Sequence, residues 1–353
     1  MTTLDAATRA HARAAFRALA HSTQGAVEAH LARVLEERRA RLAAIALEAA
    51  RPLDAAADLV LRGGKRFRAV LVRAAFEGAA PEGANHEAAV IGGAAYELVQ
   101  AYLLVQDDWM DGDATRRGGP TAHERLAAEL GSAHLGACSA VLASDLLFGY
   151  ALELLTSDVL GAEQRLAALR TLLETHEAVV AGQHLDVTHR APSVELLHAL
   201  KTGSYTVRGP LRLGLALAGV SPSSLERELE AFAEPVGLAF QLRDDLLGTF
   251  GAEARTGKPV GNDLALGKRT AVLRAAEELV PEGELPLVLA DAREGHAARA
   301  AEALRRHRVL DVVARRIDEL VTAGARAALA LPLRHESRVA LAGAALELAW
   351  EEP

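Results

Sequence analysis

Hydrophobic positions along this chain recur at the spacing of one helix face. Leu31, Val34, Leu35, Leu42 and Ile45 thread through a charged stretch in that rhythm, which predicts an amphipathic helix. The same pattern fills residues 146–155, 166–179, 225–242, 298–313 and 312–329. The period-two alternation of a half-buried strand is hard to find, and Asn-Gly or Asp-Gly hairpin signals between alternating apolar residues are missing. The breaks are short: residues 62–64, 81–83, 118–120, 219–224, 256–267 and 281–286 mark loops or helix ends. Ser221, Ser223 and Ser224 ahead of Leu225 offer hydroxyls that can cap a helix start. No break has the length or bias of an interdomain linker, and no repeat of fixed period is present. The pattern predicts an all-α fold: a single-domain helical bundle over residues 1–353, its first 25 or so residues forming a peripheral helix.

Composition supports this and narrows the chemistry. The apolar half of the chain is mostly Ala and Leu, which lose little on entering a helix. The net charge of −8 lacks the basic surplus of a general nucleic-acid footprint, so no nucleic-acid partner is expected. The single cysteine, Cys138, lies in an apolar run and reads as a small buried hydrophobe; one cysteine forms no internal disulfide, and the cytoplasm is the expected compartment. No stretch of about 18 uncharged apolar residues predicts a transmembrane helix, and the start of the chain lacks the apolar core of a signal peptide.

Two acidic clusters break the pattern. Asp107, Asp108, Asp111 and Asp113 fall within one to two turns at the end of an apolar helix that starts near His86. Asp107 and Asp111 share a face, and Asp108 neighbours Asp111. Like charges this close repel, and a helix C-terminus disfavours them further, so a cation is expected among them. Oxygen-only donors suit Mg²⁺. The second cluster, Asp244-Asp245, also follows an apolar helical stretch. Either run alone reads as a solvated face; two at the mouths of two apolar helices suggest a shared cavity lined with carboxylates.

Basic turns accompany both. Arg62-Gly63-Gly64-Lys65-Arg66-Phe67-Arg68 is a credible diphosphate cradle, though not a P-loop, because the GxxxxGK[ST] spacing is absent. Arg116-Arg117-Gly118-Gly119 follows the first acidic cluster; Gly257-Lys258 and Gly267-Lys268-Arg269 follow the second. Carboxylates with Mg²⁺ and converging Lys and Arg are what a diphosphate leaving group needs.

Asp107-Asp108-x-x-Asp111 with Arg116-Arg117-Gly118 resembles the first aspartate-rich motif of the trans-prenyl diphosphate synthases. Gly63-Gly64-Lys65-x-x-Arg68, Gly182-Gln183-x-x-Asp186, Lys201-Thr202 and Phe240-Gln241-x-x-Asp244-Asp245 fall in that family's order, across about residues 30–350. The resemblance implies the isoprenoid synthase fold, a homodimer, and condensation of isopentenyl diphosphate with an allylic diphosphate. It implies three Mg²⁺ ions: two on Asp107 and Asp111 with Asp108 supporting, one on Asp244 helped by Asp245. Arg116, Lys201 and Lys258 would bind the allylic diphosphate, and Lys268 would close over it. Lys65, Arg68, Arg117 and Gln100 would hold isopentenyl diphosphate. Lys201, Thr202 and Gln241 would lie against the developing allylic cation.

Three departures qualify the resemblance. Gly248 stands where the second motif usually has a third aspartate, which implies a weaker hold on the third Mg²⁺. Gln106 precedes Asp107, and the chain ends Trp350-Glu351-Glu352-Pro353, without the basic tail that some relatives fold over isopentenyl diphosphate. Tyr102, five residues before Asp107 and followed by Leu103, resembles the chain-length position of geranylgeranyl-type synthases, with farnesyl diphosphate as the alternative product; otherwise it is a core tyrosine with a satisfied hydroxyl. The rival readings are a class I terpene cyclase and a non-catalytic subunit of a heteromeric synthase. Asn262-Asp263 lacks the rest of the cyclase motif, and the intact first aspartate motif argues against the subunit.

Overall fold

The computed structural model describes residues 4–251, 262–265, 267–268 and 270–350, without the side chains of residues 194, 195, 202, 262 and 263. The helices run in chain order: α1 (Ala6–Ile45), α2 (Arg51–Leu61), α3 (Phe67–Ala79), α4 (Glu87–Met110), α5 (Ala122–Leu130), α6 (Ala133–Leu154), α7 (Ala162–Val187), α8 (Val194–His198), α9 (Gly209–Leu217), α10 (Glu226–Phe250), α11 (Asn262–Ala265), α12 (Ala271–Leu279), α13 (Leu285–Arg293), α14 (Ala297–Arg306), α15 (Val309–Ala330) and α16 (His335–Leu346). A π-helical stretch, Ala199–Arg208, joins α8 to α9.

Local chemistry sets several starts. Asp5 caps α1 by accepting from the Thr8 N–H at 2.7 Å, Ser132 caps α6, and Thr270 caps α12. The serine start expected before Leu225 takes another form. Pro222–Leu225 is a single 3-10 turn, and α10 begins after it without a side-chain cap, because the Ser221 and Ser223 hydroxyls bond each other. The pattern read as continuous over 298–313 is broken at Arg308, whose left-handed φ of 61° separates α14 from α15.

Two apolar clusters share the interior. One gathers residues of α10 and α12–α16; the other gathers α1, α2, α4, α5, α6 and α7. Helices α3 and α9 lie between them. Val70, Leu71, Leu211 and Leu215 face the first cluster, while Ala69, Val72, Leu213 and Leu217 face the second. The peripheral helix expected over the first 25 or so residues is, from Ala6 on, the first part of one 40-residue helix. That helix buries Ala12 and Phe16, and Phe16 packs edge-on against Phe67 at 5.9 Å.

Two helices are long and apolar enough to cross a membrane by length and composition. The apolar window of α4 is mostly buried in the bundle, as a core helix requires, whereas that of α6 is one-third buried. Cys138, expected to be buried, lies on the open side of α6 with Leu135 and Leu142, so an apolar run in sequence did not mean an enclosed one here.

Candidate active site

Helix α4 presents its aspartates as its C-terminal turn opens. Asp108 is fully buried, and Arg116 reaches back to it, with Nε 2.7 Å from Oδ1 and Nη2 on the same oxygen. Arg116 also meets Asp113 at 3.4 Å and Asp107 at 3.8 Å. Burial pulls the Arg116 pKa down, but these carboxylates outweigh it and hold the group above its ordinary value. Asp107 and Asp111 remain about one-third exposed, facing outward. Lys268 Nζ lies 3.1 Å from Asp111, so a cation already sits where the resemblance implies one.

Helix α7 supplies a second wall. Gln183 donates to Asp107 at 3.1 Å, and Asp186 accepts from Lys201. Lys201 is also 3.8 Å from Asp107, and the two aspartates keep its ammonium above the ordinary range although burial pulls the other way. Lys201 sits in the π-helical stretch, whose wider winding is marked by the Gly209 N–H bonding the Ser204 carbonyl five residues back. Nothing in the sequence pattern signalled that winding. Gln183 and Asp186 were quoted there only as part of a motif; their partners are tertiary.

A small hairpin, absent from the sequence reading, joins the acidic end to the basic loop. β1 (Thr115–Arg116) pairs antiparallel with β2 (Gly119–Pro120). Its two-residue turn has positive φ at both positions, 51° at Arg117 and 73° at Gly118, the I′ geometry whose twist suits a hairpin. Gly118-Gly119 was the available signal. The turn sends Arg116 to Asp108 and Arg117 to the loop before α3, where Nη1 donates to the Gly63 carbonyl at 2.6 Å.

That loop needs its glycines. Gly63 and Gly64 have φ of 85° and 146°, and a Cβ on Gly64 would press on the Arg117 guanidinium at 3.4 Å. Arg66 also holds a left-handed φ of 48°, without being glycine. Its buried guanidinium fixes it by donating to Glu28 at 3.1 Å, Glu97 at 3.0 Å and the Val60 carbonyl at 2.8 Å. Sequence analysis gave Arg66 no role; these bonds hold the backbone between Lys65 and Arg68. Lys65 is exposed, whereas Arg68 is buried, donating to Thr206 at 2.8 Å and lying 4.3 Å above the Tyr205 ring. Burial, and then the charge of Arg66, press the Arg117 pKa below its ordinary value, as in a pocket short of negative charge.

On α10 the aspartate pair divides in the same way. Asp245 is buried, accepting from the Ala271 N–H at 2.8 Å and from Gln241 at 2.9 Å. Gln241, expected beside a developing cation, is thus turned to Asp245. Asp244 is exposed. Desolvation by the protein around it, and then the Asp245 charge, push its carboxyl up to about 7, with Arg68, Arg243 and Lys65 pulling the other way. Gly248 lies four residues further along α10 and adds no carboxylate.

Gln100 is half-buried two turns before Asp107, on the same face of α4. Tyr102 is 4% exposed, and its hydroxyl meets His176 Nε2 at 3.1 Å; Leu103 is partly buried beside it. Lys258 lies outside the described residues, as does the side chain of Thr202.

Asp107, Asp111 and Asp244 offer oxygen donors only, the type that suits Mg²⁺. Among the described residues, the group whose ligand atoms lie within 4.8 Å of one another is a different one, Asp291, Glu294 and His296, which is largely exposed and mixes in an imidazole.

The family model described as polyprenyl synthetase matches residues 51–305. The chain is 36% identical over 229 residues to a farnesyl diphosphate synthase of Haemophilus influenzae, covering 62% of this chain and 73% of that one. It is 30% identical over 243 residues to a geranylgeranyl diphosphate synthase of Sulfolobus acidocaldarius, covering 67% and 70%. Among solved structures, the geranylgeranyl pyrophosphate synthase of Corynebacterium glutamicum, complexed with isoprenyl diphosphate and magnesium, superposes with a TM-score of 0.82 at 30% identity, covering 93% of this chain and 98% of that one.

Proposed function

Because this chain belongs to the polyprenyl synthetase family, we propose that it is a short-chain trans-prenyl diphosphate synthase that condenses isopentenyl diphosphate with an allylic diphosphate, with geranylgeranyl diphosphate as product. One observation carries this reading. The Arg116-Arg117 hairpin ties the aspartate end of α4 to the Gly63-Gly64-Lys65 loop, so that an all-oxygen metal set and a cationic cradle stand side by side. Two diphosphates can then be held in one cleft.

Asp107, Asp111 and Asp244 would hold Mg²⁺, which when bound supplies the charge neutralisation that lets diphosphate leave. Lys201 and Lys268 add positive charge at that end, and by the resemblance Lys258 would join them. Arg116 keeps the buried Asp108 compensated and has Nη1 left to meet a diphosphate oxygen. Lys65, Arg68 and Arg117, with Gln100, hold isopentenyl diphosphate. The allylic carbon–oxygen bond breaks, the isopentenyl double bond attacks the allylic carbon, and the proton lost from the new chain passes to the departing diphosphate. By the resemblance Thr202 and Gln241 would lie near the cation, and the apolar helices would keep water from quenching it. Holding both substrates in line supplies much of the acceleration.

Farnesyl diphosphate is the second reading of the product. The 36% identity to the Haemophilus influenzae farnesyl diphosphate synthase favours it. As an assembly we propose a homodimer. Helix α7 leaves Leu166, Leu173, Val180 and Val187 exposed at seven-residue spacing, and α6 leaves Leu135 and Leu142. Light scattering on a sizing column tests the dimer, and a monomeric mass overturns it.

The test of function is incubation with labelled isopentenyl diphosphate, Mg²⁺ and each allylic starter, with the products dephosphorylated and sized. Elongation that EDTA abolishes is the expected result. A folded protein that elongates no starter overturns the synthase reading.

A further inference from the structure

Below the acidic mouth, three helices each contribute one ring at the same depth. Helices α4 and α7 are tied at two levels. At the mouth Gln183 donates to Asp107 at 3.1 Å; deeper, the Tyr102 hydroxyl meets His176 Nε2 at 3.1 Å. Five residues separate the levels on α4 and seven on α7, roughly 7.5 and 10.5 Å along the two axes. Helix α6 closes the third side, antiparallel to α4: Gln106 donates to Ser144 at 3.1 Å, and one turn down Phe148 packs against Tyr102. Phe148 lies 5.3 Å from the Tyr102 ring and is stacked on His176 at 4.1 Å, with 23° between their planes.

We propose that His176 is a specificity-determining residue: by accepting the Tyr102 hydroxyl while stacked on Phe148, it fixes the ring that ends the hydrocarbon pocket and thereby sets product length. The inference rests on the synthase reading above. A tyrosine held by packing alone can leave its rotamer when a growing chain presses on it. A hydrogen bond from a second helix and a stack from a third remove that freedom. The imidazole suits the task. Burial holds its pKa below the ordinary histidine value, so at neutral pH Nε2 keeps the lone pair that the tyrosine O–H needs. His176 meets Tyr102 and Phe148, away from the groups proposed to bind diphosphate, so its removal leaves the machinery at the mouth in place.

The experiment sizes the products of wild type, H176A, H176Q, Y102F, Y102A and H176A/Y102A, each started from dimethylallyl diphosphate. H176A is expected to turn the longer products from trace into majority, by one isoprene unit or more, with the first condensation unchanged in rate. Y102F, which keeps the ring and loses only the bond, shifts the profile the same way by less. H176Q, whose amide oxygen can accept from Tyr102, returns it towards wild type. The double variant goes no further than Y102A, because both substitutions remove one device. A lengthened Y102A beside an unchanged H176A overturns the role of His176 alone. Lower turnover of H176A with an unaltered profile does the same, since it marks a packing role. If Y102A too leaves the profile unchanged, Tyr102 is not the floor and His176 loses its function with it. A wild type that elongates nothing overturns the synthase reading and this one together. Where circular dichroism shows H176A unfolded, Y102F decides, and an unaltered Y102F profile overturns the proposal.

Discussion

The C-terminal ends of α4 and α10 carry the same Asp-Asp dipeptide and treat it differently. Both bury one carboxylate, Asp108 or Asp245, and turn the other, Asp107 or Asp244, towards the cleft. On α4 the buried member meets a guanidinium, and Lys201 and Lys268 stand close to the outward ones. On α10 the buried member accepts from the Ala271 N–H and from Gln241. On α4, cationic side chains therefore stand directly against the carboxylates. Around Asp244 the pull of Arg68, Arg243 and Lys65 does not offset desolvation and the Asp245 charge, and its carboxyl is pushed up to about 7.

That contrast can be broken in several ways. The largest effect is on turnover: D107A and D244A should each lower kcat by roughly a hundredfold or more, since in the proposed function each removes a carboxylate that would hold Mg²⁺ on the leaving-group side. Steady-state rates across a Mg²⁺ series check this, and wild-type turnover in D244A removes α10 from the site. Next comes stability. R116A strands the buried Asp108 and should cost about 3–5 kcal/mol in chemical denaturation. D245A, which leaves one backbone N–H unsatisfied, should cost about 1–3 kcal/mol; equal losses would erase the asymmetry. A smaller effect tests its sign. Asp244 is raised in the folded state, so its charged form opposes folding at neutral pH. D244N should therefore raise the melting temperature in metal-free buffer, while D108N lowers it by weakening the Arg116 pair. Least of all, G248D adds a carboxylate one turn beyond Asp244 and should lower the Mg²⁺ concentration for half-maximal rate a few-fold, read from the same titration.

Much of this was legible in the chain. The apolar rhythm gives α4, α7 and α10, because a helix shows its buried face at fixed spacing. The motif residues give the mouth, because oxygen donors and guanidinium groups declare their chemistry by type. The hairpin at Arg116-Arg117 was missed because two-residue strands carry no alternation to detect. Arg66 was missed because its worth lies in Glu28 and Glu97, distant in sequence. Cys138 was misplaced because an apolar helix can keep one face outside the bundle.

The sequence by itself determined the helical class, the order of the motifs and the chemistry of the cleft, since each depends on residue identity at short separation. Tertiary structure alone decided which aspartate of each pair turns inward, how the π-helical stretch delivers Lys201 to Asp107 and Asp186, and that His176 meets Tyr102 across 74 residues of chain. Those are contacts between elements far apart in sequence, and only packing brings them within reach.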